Sequence, residues 1–133
     1  LVQKYKLNNY FIYIGAYDQK VAPSIYNKAD AYIMLKYLDP CPNTVIEAMA
    51  CGLHVIANDV GDSRLIIGNS GYVCASSDAK IVTKQIRLIF ARRNNIVKLA
   101  DPRERIRNSY SCSTMVEAYA SLYQKETLDH VSK

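Results

Sequence analysis

A strand pattern, a helix pattern and a second strand pattern follow one another in the middle of the chain. Ala31 to Leu35 is a continuous apolar run, which is typical of a strand buried on both faces. Asn43 to Cys51 has the composition of a helix, and Gly52 follows it as a stop signal. His54 to Ala57 is again short and apolar. Because parallel strands need a crossover connection, this order predicts one unit of a parallel sheet.

The rest of the chain continues the alternation of strands and helices. Further strands are predicted at Tyr10–Ile14 and Tyr72–Cys74, and helices at Pro23–Ala29, Asp78–Arg92, Asp101–Tyr110 and Ser113–Gln124. In the last helix, Tyr119 and Tyr123 lie on the apolar side and are interpreted as core residues, with an interface as the alternative. The pattern predicts an α/β fold in which helices cover both faces of a parallel sheet, with residues 1–133 as a single domain.

Composition narrows the class of protein. The chain has 133 residues, half of them apolar, and no apolar run approaches the roughly 20 residues that span a bilayer. The formal net charge of +5 favours anionic partners. The basic residues are dispersed, however, and no nucleic-acid-binding signature is present, so no nucleic-acid partner is expected. The four cysteines lack the spacing of a zinc site and indicate a reducing compartment, which we expect to be the cytoplasm.

Two acids flank the loop that leads into the central helix. Asp39 and Glu47 have seven residues between them, and Pro40 and Pro42 stiffen the loop. Ligands of parallel sheets bind beyond the carboxyl ends of the strands, where this loop is expected to lie. The layout suits a long anionic ligand with hydroxyl groups at both ends, such as a nucleotide-sugar.

The start of the central helix offers donors for phosphate groups. A helix that begins near Asn43 leaves its first N–H groups unpaired and carries a partial positive charge there. The candidate donors are the backbone amides of Cys41, Asn43 and Thr44, together with the Thr44 hydroxyl. Glu47 leans back toward the loop and can accept two hydrogen bonds from a ribose diol, while Asp39 can hold a hexose hydroxyl. The alternative is that Asp39 caps a turn and Glu47 is an acid favoured by the helix dipole.

The residues around Glu47 resemble a known signature. The chain has D-x7-E from Asp39 to Glu47, followed by E-A-M-A-C-G-L-H-V-I-A as far as Ala57. This is similar to the E-x7-E and E-A-M-A-C-G-x-P-V-[IV]-[AG] motifs of family-four retaining glycosyltransferases of the GT-B fold. The resemblance extends back to Ile14 and forward to Ser113–Tyr123. It implies a Rossmann-like fold and the C-terminal, donor-binding half of such an enzyme.

The resemblance implies roles for the matching residues. Glu47 would bind the nucleotide ribose, and Asp39 would face the donor sugar. The amides of Asn43 and Thr44 would contact the phosphates. The loop that contacts the base is matched by Gly15, Ala16 and Tyr17. The implied reaction transfers a hexose with retention to a glycan, lipid or other acceptor, with a nucleotide-sugar donor, no cofactor and no metal.

The sequence departs from the family pattern at several positions. Asp39 replaces Glu and is one methylene shorter, and Pro40 replaces a common Gly and removes an amide donor. His54 stands where Pro is frequent, and we expect it to have a surface or strand-edge role. Gly61 and Asp62 stand where a Gly-Gly turn is common.

The resemblance also implies parts that the chain does not contain. The Arg and Lys that neutralise the departing diphosphate in the family lie upstream of Leu1. Lys36 is the nearest cation to replace them, but we expect it to be an ordinary solvated lysine. We therefore expect an N-terminally truncated chain that transfers little or no sugar without its acceptor domain or a partner chain. Peripheral membrane association of the full enzyme is a further expectation. The competing hypothesis is a non-catalytic nucleotide-binding or interaction module derived from the same fold.

Overall fold

The chain folds as an alternation of short strands and helices. The computed structural model describes residues 1–92 and 99–131. The strands are β1 (Ala31–Met34), β2 (His54–Asn58) and β3 (Gly71–Cys74). The helices are α1 (Ala22–Tyr26), α2 (Asn43–Ala50), α3 (Ser63–Ile67), α4 (Ala79–Arg92), α5 (Pro102–Ser109) and α6 (Cys112–Val131), and a short 3-10 helix at Gln19–Val21 precedes α1. The predicted elements at β1–β3, α1, α2, α4 and α5 are confirmed within three residues, and α6 runs further than predicted.

The three strands of the described residues form one parallel sheet in the order β1-β2-β3. Ala31 of β1 is paired with His54, and Val55 of β2 is paired with Gly71. All five residues of β2 are buried, since strands flank it on both sides. Its apolar, β-branched composition is the one expected of a central parallel strand.

The side chains of β2 alternate between two apolar layers. Val55 and Ala57 belong to the layer that includes α2 and α3. Ile56 faces the opposite side, where it packs with Cys74 of β3 and Ile89 of α4. The predicted architecture, a parallel sheet with helices on both faces, is therefore confirmed.

His54 is buried at the start of β2. Its Nδ1 lies 2.7 Å from the carbonyl oxygen of Ser70, which can only accept, so this nitrogen carries the proton and donates it. The bond ties the beginning of β2 to the residue before β3. His54 thus has a structural role inside the sheet, and the expected surface position is wrong.

The first predicted strand is also wrong. Tyr10–Ile14 does not form a strand, and its side chains are between 53% and 86% exposed. A strand is stabilised by a neighbour that accepts its hydrogen bonds and by a layer that covers its apolar face. The run pairs with no strand of the described chain. The outer edge of β1 is likewise unpaired in residues 1–92 and 99–131, and Ile33 is 42% exposed, so β1 is not buried on both faces.

Helix α3 is an element that the sequence pattern does not predict. It contains only Ser63–Ile67 and follows a turn-rich stretch, so it shows barely more than one period of helical patterning. Ile66 and Ile67 are nevertheless fully buried against the sheet and α2. Tertiary packing, rather than local pattern, stabilises this turn of helix.

Helix α6 carries an exposed apolar face. Tyr119 and Tyr123 are 56% and 68% exposed, so the interpretation of both as core residues is wrong. Met115, Val116 and Leu122 are also exposed on this helix. Among the described residues, no helix, α6 included, combines the length and the apolar character required to span a bilayer.

Two arginines of α5 bind the C-terminal ends of α2 and α3. Arg103 donates from Nη2 to the carbonyl oxygen of Cys51 at 2.8 Å. Arg105 donates from Nε to the carbonyl oxygen of Ile66 at 2.6 Å. Cations at these ends pair with carbonyls that have no partner within the helix and interact favourably with the helix dipole. Helix α2 is thereby held in place from its C-terminal end, which positions its N-terminus at the edge of the sheet.

Candidate functional site

The N-terminus of α2 presents unpaired backbone donors. The residue before the helix is Pro42, which is fully buried and makes no side-chain cap. Val45 and Ile46 both donate their backbone N–H groups to the carbonyl oxygen of Pro42. The N–H groups of Asn43 and Thr44 donate to no acceptor within residues 1–92 and 99–131. These two amides are the predicted phosphate donors, and the structure leaves both of them available.

Helices α4 and α5 begin differently. In α4, the carboxylate of Asp78 accepts hydrogen bonds from the N–H groups of Lys80 and Ile81. Asp101 caps the first N–H groups of α5 in the same way. Such caps satisfy the donors that a helix start leaves unpaired. Because α2 has no cap of its own, its start keeps both the donors and the partial positive charge that favour an anion.

The hydroxyl of Thr44 is buried and has no hydrogen-bond partner among the described residues. A buried polar group without a partner costs about 1–3 kcal/mol. Cys41 and Asn43, the other predicted contacts at this end of the helix, are exposed. A ligand oxygen at the start of α2 would therefore satisfy the Thr44 hydroxyl together with the two free amides.

The loop from Asp39 to Pro42 is held by the turn that follows β2. The backbone N–H of Asp62 donates to the carbonyl oxygen of Pro40 at 2.9 Å. Gly61 has a φ of +47°, and a Cβ placed there would lie 2.2 Å from the carbonyl oxygens of Asp39 and Pro40. Only glycine permits this approach. In the sequence, Gly61 is recognisable only as part of an imperfect Gly-Gly turn. Its role as a support of the loop is seen only in the packing of the structure.

Asp39 is paired with a lysine in the same loop. The Nζ of Lys36 lies 2.9 Å from Oδ2 of Asp39, whose side chain is only 17% exposed. The hydrogen bond to Asp39 raises the pKa of the Lys36 ammonium, so the two groups form a charged pair. Oδ1 of Asp39 has no hydrogen-bond partner within the described chain. One oxygen of the acid predicted to face the donor sugar is thus engaged by Lys36, the nearest cation to the loop.

Glu47 faces α1 and lines a cavity between that helix and α2. The Tyr26 hydroxyl donates to Oε2 of Glu47 at 3.3 Å. The cavity measures about 230 Å³. Its lining residues come from the short 3-10 helix, from α1, and from α2 and its C-terminal end: Gln19, Ala22, Pro23, Tyr26, Glu47, Ala50 and Cys51. Asp39, Asn43 and Thr44 do not line it, so the cavity contains only one of the two predicted acids.

Tyr26 is a residue of this site that sequence reasoning missed. It is 5% exposed, and its ring meets the ring of Tyr32 edge to face, with centroids 5.7 Å apart and planes at 83°. Burial is the main cause that raises the pKa of the Tyr26 hydroxyl, and the nearby side chains of Tyr17 and Tyr32 raise it further, so this group keeps its proton and acts as a donor. The chain has 11 tyrosines, and the only sequence signal for this one is its place on the buried side of a short helix.

The loop predicted to contact the base lies before α1. Gly15 has a φ of +67°, and Ala16 and Tyr17 are exposed. Tyr17 lies near the hydroxyl of Tyr26, which lines the cavity of Glu47. Gly15 and Ala16 do not line the cavity of Glu47. Of the three predicted residues, the structure therefore connects only Tyr17 with the cavity.

The carboxyl ends of the strands are joined by Asn58 at the end of β2. Its Nδ2 donates to the carbonyl oxygen of Lys36 at 3.1 Å and to the hydroxyl of Ser77 at 2.8 Å. Asp59, the next residue, is paired with Arg64 at 2.5 Å. A second cavity of about 540 Å³ opens beside these residues. Across the described ranges, His, Cys, Asp and Glu side chains do not gather in groups of three or more that would hold a metal ion.

The chain matches a family model and several solved structures. Residues 1–110 match the model described as glycosyl transferases group 1. Sucrose-phosphate synthase from Thermosynechococcus elongatus is similar in structure, with a TM-score of 0.79 and 26% sequence identity over 96% of this chain. The chain spans 33% of the length of that protein. Comparison with curated proteins gives no match.

These matches agree with the architecture of the sheet. Three parallel strands with helices on both sides form the Rossmann-like C-terminal domain of a GT-B glycosyltransferase, as the resemblance implied. The family model covers most of the chain, including both predicted acids and the whole of α2. The chain therefore belongs to the group 1 glycosyl transferases.

Proposed function

We propose that the chain binds the nucleotide-sugar donor of a retaining glycosyltransferase that moves a hexose to a glycan, lipid or other acceptor. Family membership supports glycosyl transfer as the general activity. The observation that carries the proposal is the uncapped start of α2, with two free amides and an unpartnered buried hydroxyl, one turn before the half-buried carboxylate of Glu47.

The diphosphate would lie at the start of α2. Asn43 and Thr44 supply backbone N–H groups, and the Thr44 hydroxyl supplies a third donor. The helix dipole adds a favourable field for negative charge at this point. The rigid loop before the helix, held by Gly61 and by the buried Pro42, keeps these donors in position before the ligand arrives. Preorganisation of this kind reduces the entropic cost of binding.

The nucleoside would lie in the cavity of Glu47. Sites for whole drug-sized ligands measure about 300–1,000 Å³, so a cavity of about 230 Å³ suits a part of the donor rather than all of it. The carboxylate of Glu47 can accept hydrogen bonds from both hydroxyls of a ribose diol, and charge-assisted bonds of this kind contribute about 1.5–3 kcal/mol each. Tyr17, which lies near the Tyr26 hydroxyl beside the cavity, is placed to contact the base.

The sugar would contact Asp39 through Oδ1, while Oδ2 stays paired with Lys36. In the proposal, the reaction uses no metal and no cofactor, and cations of the protein stabilise the leaving diphosphate. The acceptor would be held by an N-terminal domain or a partner chain, and the full enzyme would work in the cytoplasm, with peripheral association with a membrane. Because transfer depends on these further parts, binding of the donor is the property to measure on this chain.

One observation favours the second candidate, a non-catalytic module derived from the same fold. The Lys36–Asp39 pair occupies both the acid that would face the sugar and the cation nearest to the loop. A module that binds only the nucleotide part would need neither group. The two candidates differ in whether a nucleotide-sugar binds more tightly than the nucleoside diphosphate of the same base.

The test is thermal unfolding of the chain with ADP, GDP, UDP and dTDP, each at up to millimolar concentration. We expect one base class to raise the melting temperature, since a ligand at a hundredfold excess over its Kd adds about 2.7 kcal/mol of stability. The nucleoside of the same base, which lacks phosphates, should give a much smaller shift. Absence of a shift with all four nucleotides would contradict donor binding and favour an interaction module.

Substitution of Thr44 by valine is expected to change stability and binding in opposite directions. Valine has the same shape but removes the buried hydroxyl without a partner, so the free energy of unfolding should rise by up to about 1–2 kcal/mol. The affinity for the nucleoside diphosphate should fall by about fivefold to tenfold, because one phosphate donor is lost. Urea unfolding and isothermal titration measure the two effects. Thr83→Val in the exposed face of α4 is the control, and a variant that binds as tightly as the wild type would show that the hydroxyl does not meet the ligand.

A further inference from the structure

Glu47 has a rotatable side chain on a helix surface, yet one of its oxygens is held in place. Its carboxylate is half-buried, and the Tyr26 hydroxyl donates to Oε2 at 3.3 Å from a residue 21 positions earlier in the chain. Within the described part of the protein, Oε1 has no hydrogen-bond partner. The arrangement leaves Oε1 as an acceptor on the wall of the cavity.

The donor in this pair is itself rigid. Tyr26 is almost completely buried, and its ring is packed edge to face against Tyr32 of β1. A tyrosine that is fixed in this way has little rotamer freedom to lose, so it holds its hydroxyl at a constant place. The side chain of Tyr17, in the loop before α1, lies near the hydroxyl of the same residue. Tyr26 therefore connects the sheet, the loop before α1 and the acid of α2.

We propose that Tyr26 is a positioning residue for diol recognition, which holds the Glu47 carboxylate toward the cavity and thereby sets a preference for ribonucleotides over 2′-deoxyribonucleotides. This inference rests on the proposed function, because it assigns the ribose of the donor to the cavity between α1 and α2. A carboxylate that must accept from two neighbouring hydroxyls has to present both oxygens at once, and a freely rotating one does so only part of the time. A 2′-deoxyribonucleotide lacks one of the two hydroxyls and forms only one of these hydrogen bonds. It therefore gains less affinity from a correctly oriented carboxylate.

The experiment is isothermal titration of the chain with ADP, GDP and UDP and with their 2′-deoxy counterparts. For the base that binds, we expect the wild-type chain to prefer the ribonucleotide by at least about tenfold. The Tyr26→Phe variant keeps the ring and its packing and loses only the hydroxyl. Its Kd for the ribonucleotide should rise by about fivefold to tenfold, while its Kd for the 2′-deoxy form changes less than about twofold. The ratio of the 2′-deoxyribonucleotide Kd to the ribonucleotide Kd should therefore fall. A purely structural role of Tyr26 would leave this ratio unchanged.

Two further variants make the test specific. Tyr32→Phe removes a neighbouring hydroxyl that does not bond to Glu47 and should leave the ratio unchanged. In the Glu47→Ala background, which lacks the side chain that Tyr26 holds, Tyr26→Phe should change the ribonucleotide Kd by less than about twofold. If the Tyr26→Phe chain does not fold, Tyr32→Leu replaces it, since it removes the ring that packs edge to face against Tyr26 and leaves the Tyr26 hydroxyl in place. It should narrow the same ratio of Kd values, whereas Tyr32→Phe, which keeps the ring, should not.

The outcomes separate this inference from the function on which it rests. A wild-type chain that binds no nucleotide overturns both. A wild-type chain that binds nucleotides without a ribose preference overturns the inference and leaves donor binding intact, as does a Tyr26→Phe variant with the wild-type ratio. A ratio that narrows in Tyr26→Phe and stays unchanged in Tyr32→Phe supports the positioning role.

Discussion

Substitution of Gly61 by alanine is expected to destabilise the fold by about 2–5 kcal/mol, because two separate costs add at this position. The first is conformational: the φ of +47° costs about 1–2 kcal/mol for a residue with a Cβ. The second is steric: the new Cβ would lie 2.2 Å from the carbonyl oxygens of both Asp39 and Pro40. Backbone atoms cannot rotate out of the way as a side chain does, so the loop itself has to move, at a further cost of about 1–3 kcal/mol.

A matched control separates the two costs. Gly15 has a similar φ of +67°, but the nearest atom to an added Cβ is 4.0 Å away, on the side chain of Tyr13. Gly15→Ala should therefore show only the conformational part, about 1–2 kcal/mol, in urea unfolding at 25 °C. Equal losses in the two variants would mean that the turn after β2 does not support the loop before α2.

The same substitution should also impair ligand binding. The residues that Gly61 approaches end three positions before the free amides of α2 begin, and Asp62 is hydrogen bonded to the same loop. A shift of about 1 Å at this point moves the donors relative to a diphosphate, and misplacement of that size is costly at a preorganised site. Titration of Gly61→Ala with the nucleoside diphosphate should show weaker binding at temperatures where the variant is still folded.

The core of the fold could be predicted because its signals are local. The apolar run of β2 and the helix of α2, with Gly52 after it, are read from a few adjacent residues, and the structure has them where the pattern indicates. The long helix α4 shows several periods of apolar spacing, so its bounds are predicted within one residue.

The wrong or missing predictions concern elements whose structure depends on residues far away in the chain. Tyr10–Ile14 has the composition of a strand, but a strand also needs a neighbour and a covering layer, and composition does not report either. Tyr119 lies on the apolar side of α6, as predicted, but the pattern of one helix does not reveal what packs against it. Helix α3 is too short to show a period, and it exists because Ile66 and Ile67 are buried by other elements.

The candidate site also has a part that could be predicted from local sequence and a part that could not. The start of α2 follows from Asn43 and the prolines before it, so the free donors were predictable from sequence. The partners of the acids were not, since Tyr26 is 21 residues from Glu47 and looks like any other tyrosine in the chain. Lys36 and Asp39 are close in sequence. Whether Lys36 pairs with Asp39 or with a phosphate depends on the path of the loop, which the sequence pattern does not give.

Substitution of Glu47 by glutamine is expected to weaken the binding of the nucleoside diphosphate by about 100-fold. Glutamine has nearly the same shape and still accepts the Tyr26 hydrogen bond through its single oxygen. It loses the negative charge, so two charge-assisted bonds of about 1.5–3 kcal/mol become at most neutral ones of about 0.5–1.5 kcal/mol. The difference of about 2–3 kcal/mol corresponds to this change in Kd. Isothermal titration measures it, and the loss of the ligand-induced rise in melting temperature is the second readout.

Glu104→Gln is the matched control for the change in charge. Glu104 is also an acid near the start of a helix, but it is exposed on α5 and lies outside the cavity. Both variants should unfold at nearly the same urea concentration as the wild type, since neither acid forms an ion pair within the described residues. If Glu47→Gln bound the nucleotide as tightly as Glu104→Gln does, Glu47 would not contact the ligand. The cavity between α1 and α2 would then be no part of a donor site, even though the free amides of α2 remained able to hold phosphate.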